Sequence, residues 1–385
     1  MIALDPLREA QRLAPAIAAR ADEIEEARRL PADLADEMAR AGLFRLIVPK
    51  SLGGSELHPR AIIETLETVA AADASVGWCA MIAATTGLVS AYLEPAVARE
   101  IYADPRLITG GVFAPMGKAV REGGEYVVTG RWKWASGSQN CAWLGGGCLI
   151  IENGAMLTLP SGAPNHRMIL FPRDEVELID TWRVAGLKGT GSGDMRVAGV
   201  RAPVAHSVSL IVDKPVEEGA LYAFPAFGLL ALGIAAVASG NARAALADFV
   251  ALAQAKKPGG GKRTLAERGA AQAALAQAEA AQRGARAFLL EAVDRAWASA
   301  ERGDGLSQTL RADLRLAATH LVRVSAEAVR VCYDLAGGDS VFLDSPLQRR
   351  FRDAHVATQH MMTSAQVYEL AGRILFGLPT DDATL

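Results

Sequence analysis

The sequence predicts a mainly helical protein with a small β domain in its middle and a four-helix bundle at its end. Residues 1–108 carry apolar side chains at helical spacing. Residues 109–206 instead alternate between runs of β-branched residues and turn residues, and residues 207–385 are rich in alanine and helical again. The chain is therefore expected to form three domains in the order helices, strands, helices, which is an uncommon arrangement.

Start and stop signals delimit the N-terminal helices. Pro31 stands at the first turn of one predicted helix and Gly42 at its end, because proline fits a first turn and glycine ends helices. Pro59 begins a second helix in the same way. Asp73 precedes a third, over residues 75–92, whose first free backbone N–H groups its carboxylate can cap.

Glycine-containing turns delimit the strands of the β domain. The glycine pair at 123–124 and the Asn-Gly pair at 153–154 each separate two runs of strand-forming residues, as the turns of β-hairpins do. Residues 166–172 and 195–203 add two further strands, because they are rich in β-branched residues and lack helical spacing.

The C-terminal domain is predicted to be a bundle of four long helices. Two segments rich in glycine, at 256–263 and 336–346, are the clear breaks between them. The predicted helices cover residues 224–256, 264–302, 306–335 and 346–376.

Two apolar stretches, residues 76–93 and 221–240, are about as long as a helix that spans a membrane. Both are rich in small residues, the second contains Pro225, and neither has the flanking basic clusters that orient membrane helices. We therefore predict buried core helices and no membrane partner. The N-terminal residues lack a basic region followed by an apolar core, so no secretion signal is expected and the predicted location is cytoplasmic.

Composition and spacing argue against several classes of function. A net charge of −3 and a pI near 6.1 do not favour nucleic acid as a partner. The four cysteines are scattered without a CxxC pair, which argues against a disulfide framework or a zinc site. His355 and His360 lie five positions apart on a predicted helix, so they would not converge on one metal ion.

Familiar catalytic signatures are incomplete or absent. The GGGK sequence at 259–262 is followed by Arg263, where a phosphate-binding loop has the Ser or Thr that binds magnesium. The GTGSG sequence at 189–193 leads into a predicted strand, whereas a dinucleotide-binding fingerprint opens a helix. The sequence contains no GxSxG, so a serine hydrolase is not expected.

Four segments together carry a resemblance to a known family: residues 113–119, 129–143, 180–203 and 336–360. In this order and spacing they resemble the acyl-CoA dehydrogenase superfamily along nearly the whole chain. They are most similar to its flavin-dependent monooxygenase branch, the oxygenase components of two-component aromatic hydroxylases. The resemblance implies N-terminal helices, a central β-barrel and a C-terminal helical bundle, with flavin bound between barrel and bundle in a homotetramer.

The resemblance also implies which residues bind the flavin. Trp134 would lie against the isoalloxazine, and the Ser136 hydroxyl would hydrogen-bond N5 of its reactive middle ring. Phe113 and Pro115 match a loop that lines the pyrimidine side. Further contacts are implied for Gly137, Ser138, Thr190 and Ser192, for Arg263 (or Lys262) at the phosphates, and for Gly337 and Gly338, a glycine pair that reaches the flavin of a neighbouring subunit.

The residue types themselves suit a flavin. A strand that carries Trp134 and Ser136 on either side of a small residue can offer a flat apolar wall and a hydroxyl for N5. Glycines nearby allow the backbone to approach a planar ligand closely. Each feature also has an ordinary structural interpretation, since a tryptophan in a strand often belongs to the core and Ser-Gly-Ser often forms a turn.

The catalytic glutamate of the dehydrogenases has no counterpart at either of its usual positions. Alignment on the Arg-Asp-Ala sequence at 352–354 puts His360 and Met361 where the family has Tyr-Glu. The alternative position, near the start of the long helix, is Leu230. Loss of a general base costs about 10²–10⁴-fold in rate, so a dehydrogenase is disfavoured.

His360 suits oxygen chemistry instead. In the monooxygenase branch that the chain resembles, reduced flavin and O2 form a C4a-hydroperoxyflavin, which hydroxylates a phenol. With an unperturbed pKa of about 6.5, His360 could accept the phenol proton or orient the hydroperoxide. Trp78, Phe113 and Met361 would form an apolar pocket that excludes water. The ordinary alternative for His360 is a hydrogen-bonded histidine on a buried helix face.

The sequence therefore predicts an oxygenase component that hydroxylates an aromatic or polycyclic small molecule. Reduced FMN or FAD would come from a separate NAD(P)H:flavin reductase, because the chain has no nicotinamide-binding fingerprint. Other possibilities stay open: an acyl-CoA dehydrogenase-like enzyme with a relocated base, an N-hydroxylase, or a non-catalytic scaffold with a flavin fold.

Overall fold

The protein is described by a computed structural model that covers residues 5–159, 162–259, 261–383 and 385. Helices precede and follow a mixed β-sheet. The helices before the sheet are α1 (Pro6–Ala19), α2 (Ala21–Ala27), α3 (Ala32–Arg40), α4 (Pro59–Ala72), α5 (Ala74–Gly87) and α6 (Pro95–Tyr102). The strands are β1 (Thr109–Glu122), β2 (Glu125–Trp132), β3 (Trp143–Glu152), β4 (Ala155–Met156), β5 (His166–Pro172), β6 (Glu177–Ile179), β7 (Asp194–Pro203) and β8 (Ser207–Val208). The helices after the sheet are α7 (Ala220–Ala223), α8 (Ala226–Ala255), α9 (Gly269–Arg302), α10 (Gln308–Ala336), α11 (Pro346–Ala357) and α12 (Gln366–Leu375).

Local capping begins two N-terminal helices where the sequence predicts. Helix α4 starts at Pro59, and Nδ1 of His58 accepts from the backbone N–H of Arg60 at 3.1 Å. The Asp73 carboxylate accepts from the N–H of Val76 at 3.0 Å at the start of α5. These bonds satisfy N–H groups that have no partner inside a helix. Both predicted starts are confirmed.

The β region forms an eight-stranded sheet in the order β6-β7-β2-β1-β3-β5-β8, with β4 paired to β3. Strands β1 and β3 are parallel, and the other neighbours are antiparallel. Among the described residues, the terminal strands β6 and β8 each pair on one side only, so the sheet is open and the predicted β-barrel is wrong. Strands β6 and β8, of three and two residues, use their pairing on β7 and β5, and within the described residues no ladder joins them to each other.

Glycines in the middle of the sheet make room for one tryptophan. Trp132 at the end of β2 is fully buried, and its indole N–H donates to the carbonyl of Gly147 at 2.7 Å. A Cβ placed on Gly117, Gly130 or Gly146 would lie 2.3 to 2.6 Å from an indole carbon. Trp132 is therefore a core tryptophan, and its packing fixes the end of β2, from which the next residues continue to Trp134.

The two apolar stretches are core helices. The helical segments Ala74–Ala91 and Ala226–Ala255 are long and apolar enough to cross a membrane, but 94% and 83% of their most apolar windows are buried within the protein. Helix α8 packs against α4, α5 and α10. The prediction of core helices is confirmed, which supports a soluble protein. The division into three domains near residues 108 and 206 stays a prediction.

The prediction of a single helix over residues 346–376 is wrong, because the structure has two shorter helices there. Helix α11 ends at Ala357, and His360 follows with extended backbone angles, φ −68° and ψ 132°. Side chains compete with the helical hydrogen bonds here. The Thr358 hydroxyl donates to the carbonyl of His355 at 2.7 Å, and His360 Nδ1 accepts from the N–H of Met362 at 3.2 Å. His355 and His360 therefore do not share a helix. The argument that their spacing on one helix keeps them from binding the same metal ion does not apply.

A buried ion-pair cluster joins α4 to α8 and α9. The carboxylate of Glu67, only 1% exposed, accepts from the Arg286 guanidinium at 2.8 Å and from the Ser239 hydroxyl at 2.6 Å. The Gln282 amide donates to Ser239 at 3.0 Å, and Arg243 lies 3.6 Å from the carboxylate. We call these five residues the Glu67 cluster. It fixes the N-terminal helices to the bundle.

Candidate functional site

Two segments distant in sequence are held together at one end of the sheet. The N–H of Ala135 donates to the carbonyl of Gly193 at 2.9 Å, and the N–H of Gly137 donates to the carbonyl of Thr190 at 2.8 Å. The Gln139 amide adds a bond to the carbonyl of Gly191 at 2.9 Å. The structure therefore brings together six residues predicted to bind flavin: Trp134, Ser136, Gly137, Ser138, Thr190 and Ser192.

Three of these residues form a row of touching hydroxyls. The Ser136 and Ser192 oxygens are 2.6 Å apart, and the Ser192 and Thr190 oxygens are also 2.6 Å apart. The Thr190 hydroxyl then donates to the carbonyl of Leu187 at 2.8 Å. All three side chains are buried. We refer to Ser136, Ser192 and Thr190 as the hydroxyl chain.

Trp134, beside the hydroxyl chain, is both exposed and strained. Its side chain is 59% exposed, whereas Trp132 two residues earlier is fully buried. Its φ of 68° lies in the left-handed region that bulky residues rarely adopt. Strained backbone of this kind costs about 1–3 kcal/mol and clusters at functional sites. An indole held open to solvent at this cost can serve as a flat wall for an aromatic ligand.

Strand β1 is irregular where the flavin-lining loop is predicted. Its pairing with β3 shifts register between Val112 and Pro115 and again between Pro115 and Gly117. Bulges of this kind redirect side chains and are common beside active sites. Phe113 is half-buried, and Pro115 is exposed. The resulting surface has an aromatic side chain and a backbone that leaves the regular ladder.

His360 lies beside Trp78 in the turn between α11 and α12. The two ring centres are 5.8 Å apart, Trp78 is buried, and the neighbouring Met361 is 70% exposed. Burial, with a smaller contribution from the positive charge of Arg315, lowers the pKa of His360 to about 4. The imidazole is therefore neutral near pH 7. Because Nδ1 accepts from a backbone N–H, we assign the proton to Nε2.

Arg315 is a site residue that the sequence prediction missed. It lies on α10, is buried, and donates to the carbonyl of Met362 at 3.0 Å. Burial lowers its pKa to about 10, so it stays cationic at neutral pH. A signal was available, because an arginine between buried Leu314 and Ala317 interrupts the apolar face of a helix. Arg315 fixes the turn that carries His360.

Asp353 was also missed as a site residue, although its motif was used for alignment. Its buried carboxylate accepts from the N–H of Leu187 at 2.5 Å, which joins α11 to the segment that carries the hydroxyl chain. Leu187 has a φ of 50°, so this N–H is held in a left-handed turn. Burial and then the nearby Asp73 carboxylate raise the pKa of Asp353 to about 7. Asp353 therefore positions part of the candidate site.

The raised pKa of Asp353 gives a testable pH dependence. The unfolded carboxyl has a pKa of about 3.9, so the native state holds its proton more tightly, and this stabilisation is lost as pH rises from about 4 through 7. Asn keeps the oxygen that accepts from Leu187 but does not titrate. When the pH is raised from 5 to 8.5, we expect the unfolding free energy of wild type to fall by about 1–3 kcal/mol more than that of Asp353→Asn.

Urea denaturation at the two pH values measures this difference. Asp344→Asn, a substitution at an exposed carboxyl, is the matched control and should show the same difference from wild type at both. A difference for Asp353→Asn that does not change with pH would contradict the prediction.

The other residues predicted to bind flavin form a second group at one end of the bundle. Gly337, with a φ of 61°, and Gly338 are exposed beside Lys256. The Lys256 ammonium donates to the carbonyl of Ala336 at 2.7 Å and pairs with Asp339 at 2.8 Å. The exposed Arg263 follows in the loop after α8. Within the described residues, no hydrogen bond or ion pair joins this group to Trp134 and the hydroxyl chain.

Family models match both helical parts of the chain. Residues 8–97 match the acyl-CoA dehydrogenase N-terminal domain, and residues 232–365 match the acyl-CoA dehydrogenase C-terminal domain. The two matches lie on either side of the sheet, in the order that the resemblance predicts.

Similar proteins are named as monooxygenases or hydroxylases, and one of the names states dependence on FADH2. The chain is 34% identical to an indole-3-acetate monooxygenase of Pseudomonas putida, over 93% of this chain and 90% of that protein. It is 29% identical to the oxygenase component of a FADH2-dependent resorcinol hydroxylase of Rhizobium sp., over 93% and 90%. The crystal structure of the HsaA monooxygenase of M. tuberculosis superposes with a TM-score of 0.90 at 26% identity, covering 98% and 99%.

Proposed function

Because the chain belongs to the acyl-CoA dehydrogenase family, among its flavin-dependent aromatic monooxygenases, we propose that it is the oxygenase component of a two-component system. A separate NAD(P)H:flavin reductase supplies reduced FMN or FAD. One atom of O2 enters an aromatic or polycyclic substrate as a hydroxyl group, the other leaves as water, and the flavin leaves oxidised. The enzyme acts in the cytoplasm.

The observation that carries the proposal is His360 in its turn beside Trp78. A dehydrogenase of this family needs a carboxylate base, and the two positions where one is expected hold His360-Met361 and Leu230. A neutral imidazole with its proton on Nε2 is a hydrogen-bond donor. It can stabilise an oxygen atom that gains negative charge during oxygen transfer, but it does not replace the carboxylate base that α-proton removal requires in this family.

The residues around Trp134 fit a flavin ring. When bound, reduced flavin supplies the two electrons that activate O2. The exposed Trp134 indole offers a flat wall, and Ser136 offers a polar atom beside it. Phe113 and Pro115 lie on the irregular part of β1, and Gly137 and the buried Ser138 directly follow Ser136 in the chain.

Among the two roles predicted for His360, we favour donation over proton abstraction. Nδ1 is already engaged with the N–H of Met362, and Nε2 carries the proton. A base with a pKa of about 4 is also poorly matched to a phenol, whose pKa is about 10 in a tyrosine side chain. Trp78, Phe113 and Met361 form the apolar side of the substrate pocket and exclude water.

The second group of residues fits the flavin of another subunit in a homotetramer. Gly337 and Gly338 leave an uncovered backbone, and Arg263 is free to meet a phosphate. Phe342 and Leu343, close to the glycine pair, are 63% and 81% exposed, which is unusual for large apolar side chains on a free surface. Exposed apolar residues and an open glycine pair in one place support an interface between subunits.

The function is tested by reconstitution with a general flavin reductase, NADH, FMN or FAD, and ¹⁸O₂. Indole-3-acetate is the first substrate, followed by simple phenols, because relatives are named for such compounds. We expect a product that carries one ¹⁸O atom and forms only when the chain is present. Consumption of O2 with peroxide as its only product across the series, together with bleaching of bound oxidised flavin by an acyl-CoA, would refute the proposal.

Trp134 gives a prediction that separates binding from stability. In Trp134→Gly, the flat wall is lost but the left-handed backbone becomes unstrained. We expect flavin affinity to fall by about tenfold, in line with the worth of an aromatic contact and its buried area. The unfolding free energy should not fall. Equilibrium dialysis and urea denaturation measure the two quantities, and a less stable variant with unchanged affinity would contradict the expectation.

A further inference from the structure

Helix α5 packs against the candidate site on one side and against α8 on another. The Cys79 thiol lies 3.9 Å from the carbonyl of Thr190 and 3.5 Å from the position that a Cβ of Gly137 would take. A Cβ placed on Gly233 of α8 would lie 2.6 Å from Cγ of Met81, so the two helices touch at this glycine. Cys79 therefore faces the segments that carry the hydroxyl chain, and Met81 faces the bundle.

Trp78 and Ile82 face the space between these two neighbours of α5. Successive residues of a helix are about 100° apart, which puts both side chains between the two contacts described above. Of residues 73–91, all of which the structure describes, Ile82 is the one that is not buried. Trp78 lies beside His360, with 5.8 Å between the ring centres. Trp78 and Ile82 therefore form one wall of the space that the proposed function assigns to the substrate.

Met81 closes this space towards α8. It follows Trp78 by about one helical turn on α5, and Gly233 follows Leu230 by about one turn on α8. Met81 is only 2% exposed, because its side chain fills the contact with Gly233. Methionine is unbranched and suits such irregular gaps. Without this side chain, the space beside Trp78 would extend between the two helices.

Resting on the proposed function, we infer that Met81 limits the size of the substrate. The enzyme takes a compact aromatic compound, and an alkyl chain or further ring that extends towards α8 meets the Met81 side chain. Gly233 is a positioning residue, because it lets Met81 lie against α8 instead of in the substrate space. Met81 is a specificity-determining residue that does not touch the reacting atoms.

The test compares three phenols of increasing length, para-cresol, para-propylphenol and para-pentylphenol, in the system reconstituted with a flavin reductase. We expect kcat/KM of wild type to fall with each step in length. In Met81→Ala the ratio of kcat/KM for para-pentylphenol to that for para-cresol should rise at least about tenfold, the usual discrimination for one methylene group in an apolar pocket. Equilibrium dialysis of para-pentylphenol should show a matching gain in affinity without turnover.

Further variants test the contact itself. Gly233→Ala puts a methyl group 2.6 Å from Cγ of Met81 and displaces that side chain into the substrate space, so it should lower the ratio below wild type. Gly233→Ala combined with Met81→Ala returns part of the lost volume and should bring the ratio back towards wild type. Met38→Ala, which truncates a fully buried methionine of α3, is the matched control and should leave the ratio unchanged.

The outcomes are distinguishable. If Met81→Ala changes neither the ratio nor the affinity for para-pentylphenol, or if Met38→Ala changes them as much, the inference is wrong. It is also wrong if wild type uses para-pentylphenol as well as para-cresol. If wild type hydroxylates indole-3-acetate but none of the phenols, the dialysis result decides. If wild type hydroxylates no aromatic compound and binds no flavin, the proposed function itself fails.

Discussion

Replacement of His360 by alanine is expected to lower the hydroxylated product formed per flavin oxidised by about 10²-fold, the usual cost of removing one donor from a site of developing negative charge. The substitution removes the Nε2–H donor. Nδ1 cannot serve as that donor, because it already accepts from the N–H of Met362. Flavin oxidation itself should continue, with hydrogen peroxide in place of product. Product is measured by chromatography and peroxide by a peroxidase assay, at matched flavin consumption.

Controls for His360 test its role as a donor. His360→Gln keeps an N–H group and should recover part of the product, and His355→Ala changes an exposed histidine and should have no effect. With a pKa of about 4, His360 should produce no inflection in product yield between pH 5 and 8. An inflection near pH 6.5 that disappears in His360→Gln would instead support the alternative role, in which His360 accepts the substrate proton.

Replacement of Arg286 by alanine is expected to lower the free energy of unfolding by about 3–5 kcal/mol, because it leaves the Glu67 carboxylate buried without its closest ion-pair partner. Glu67 is 1% exposed, and its remaining partners, the Ser239 hydroxyl and the more distant Arg243 at 3.6 Å, do not replace the guanidinium that is lost. The cluster joins α4 to α8 and α9, so its loss should loosen the N-terminal helices first. Urea denaturation followed by circular dichroism measures the change.

Two comparisons test this interpretation of the Glu67 cluster. Glu67→Leu combined with Arg286→Met removes both charges and should recover most of the loss, since a buried pair replaced by apolar residues is often neutral. Arg60→Ala removes one partner of the more exposed pair with Asp294 and should cost less than about 1 kcal/mol. An equal loss from Arg60→Ala and Arg286→Ala would mean that burial of the carboxylate is not the cause.

Features set by neighbouring residues could be predicted from the sequence. Pro59 and Asp73 begin helices through bonds that reach no more than three residues along the chain. The turns at 123–124 and 153–154 also depend on local backbone angles. The family resemblance added the reaction class, which local patterns alone do not give.

Features that depend on distant partners could not be predicted. Closure of the sheet would require β6 and β8 to pair with each other. Strands of three and two residues are too short to give a pattern in the sequence that predicts such pairing. The break at His360 contains no glycine or proline, so only the side-chain bonds of Thr358 and His360 reveal it. The Asp353 bond to Leu187 spans 166 residues, and no spacing rule connects them.

The glycines around Trp132 limit the order in which this sheet can evolve. While the indole is present, even a methyl group at Gly117, Gly130 or Gly146 meets it at 2.3 to 2.6 Å, so each single substitution is blocked. A smaller residue at 132 would remove the indole from all three sites but would open a cavity in the core, and Gly130 would still be limited by the Gly117 backbone at 2.8 Å. Which residues can stand at 117, 130 and 146 therefore depends on which residue stands at 132.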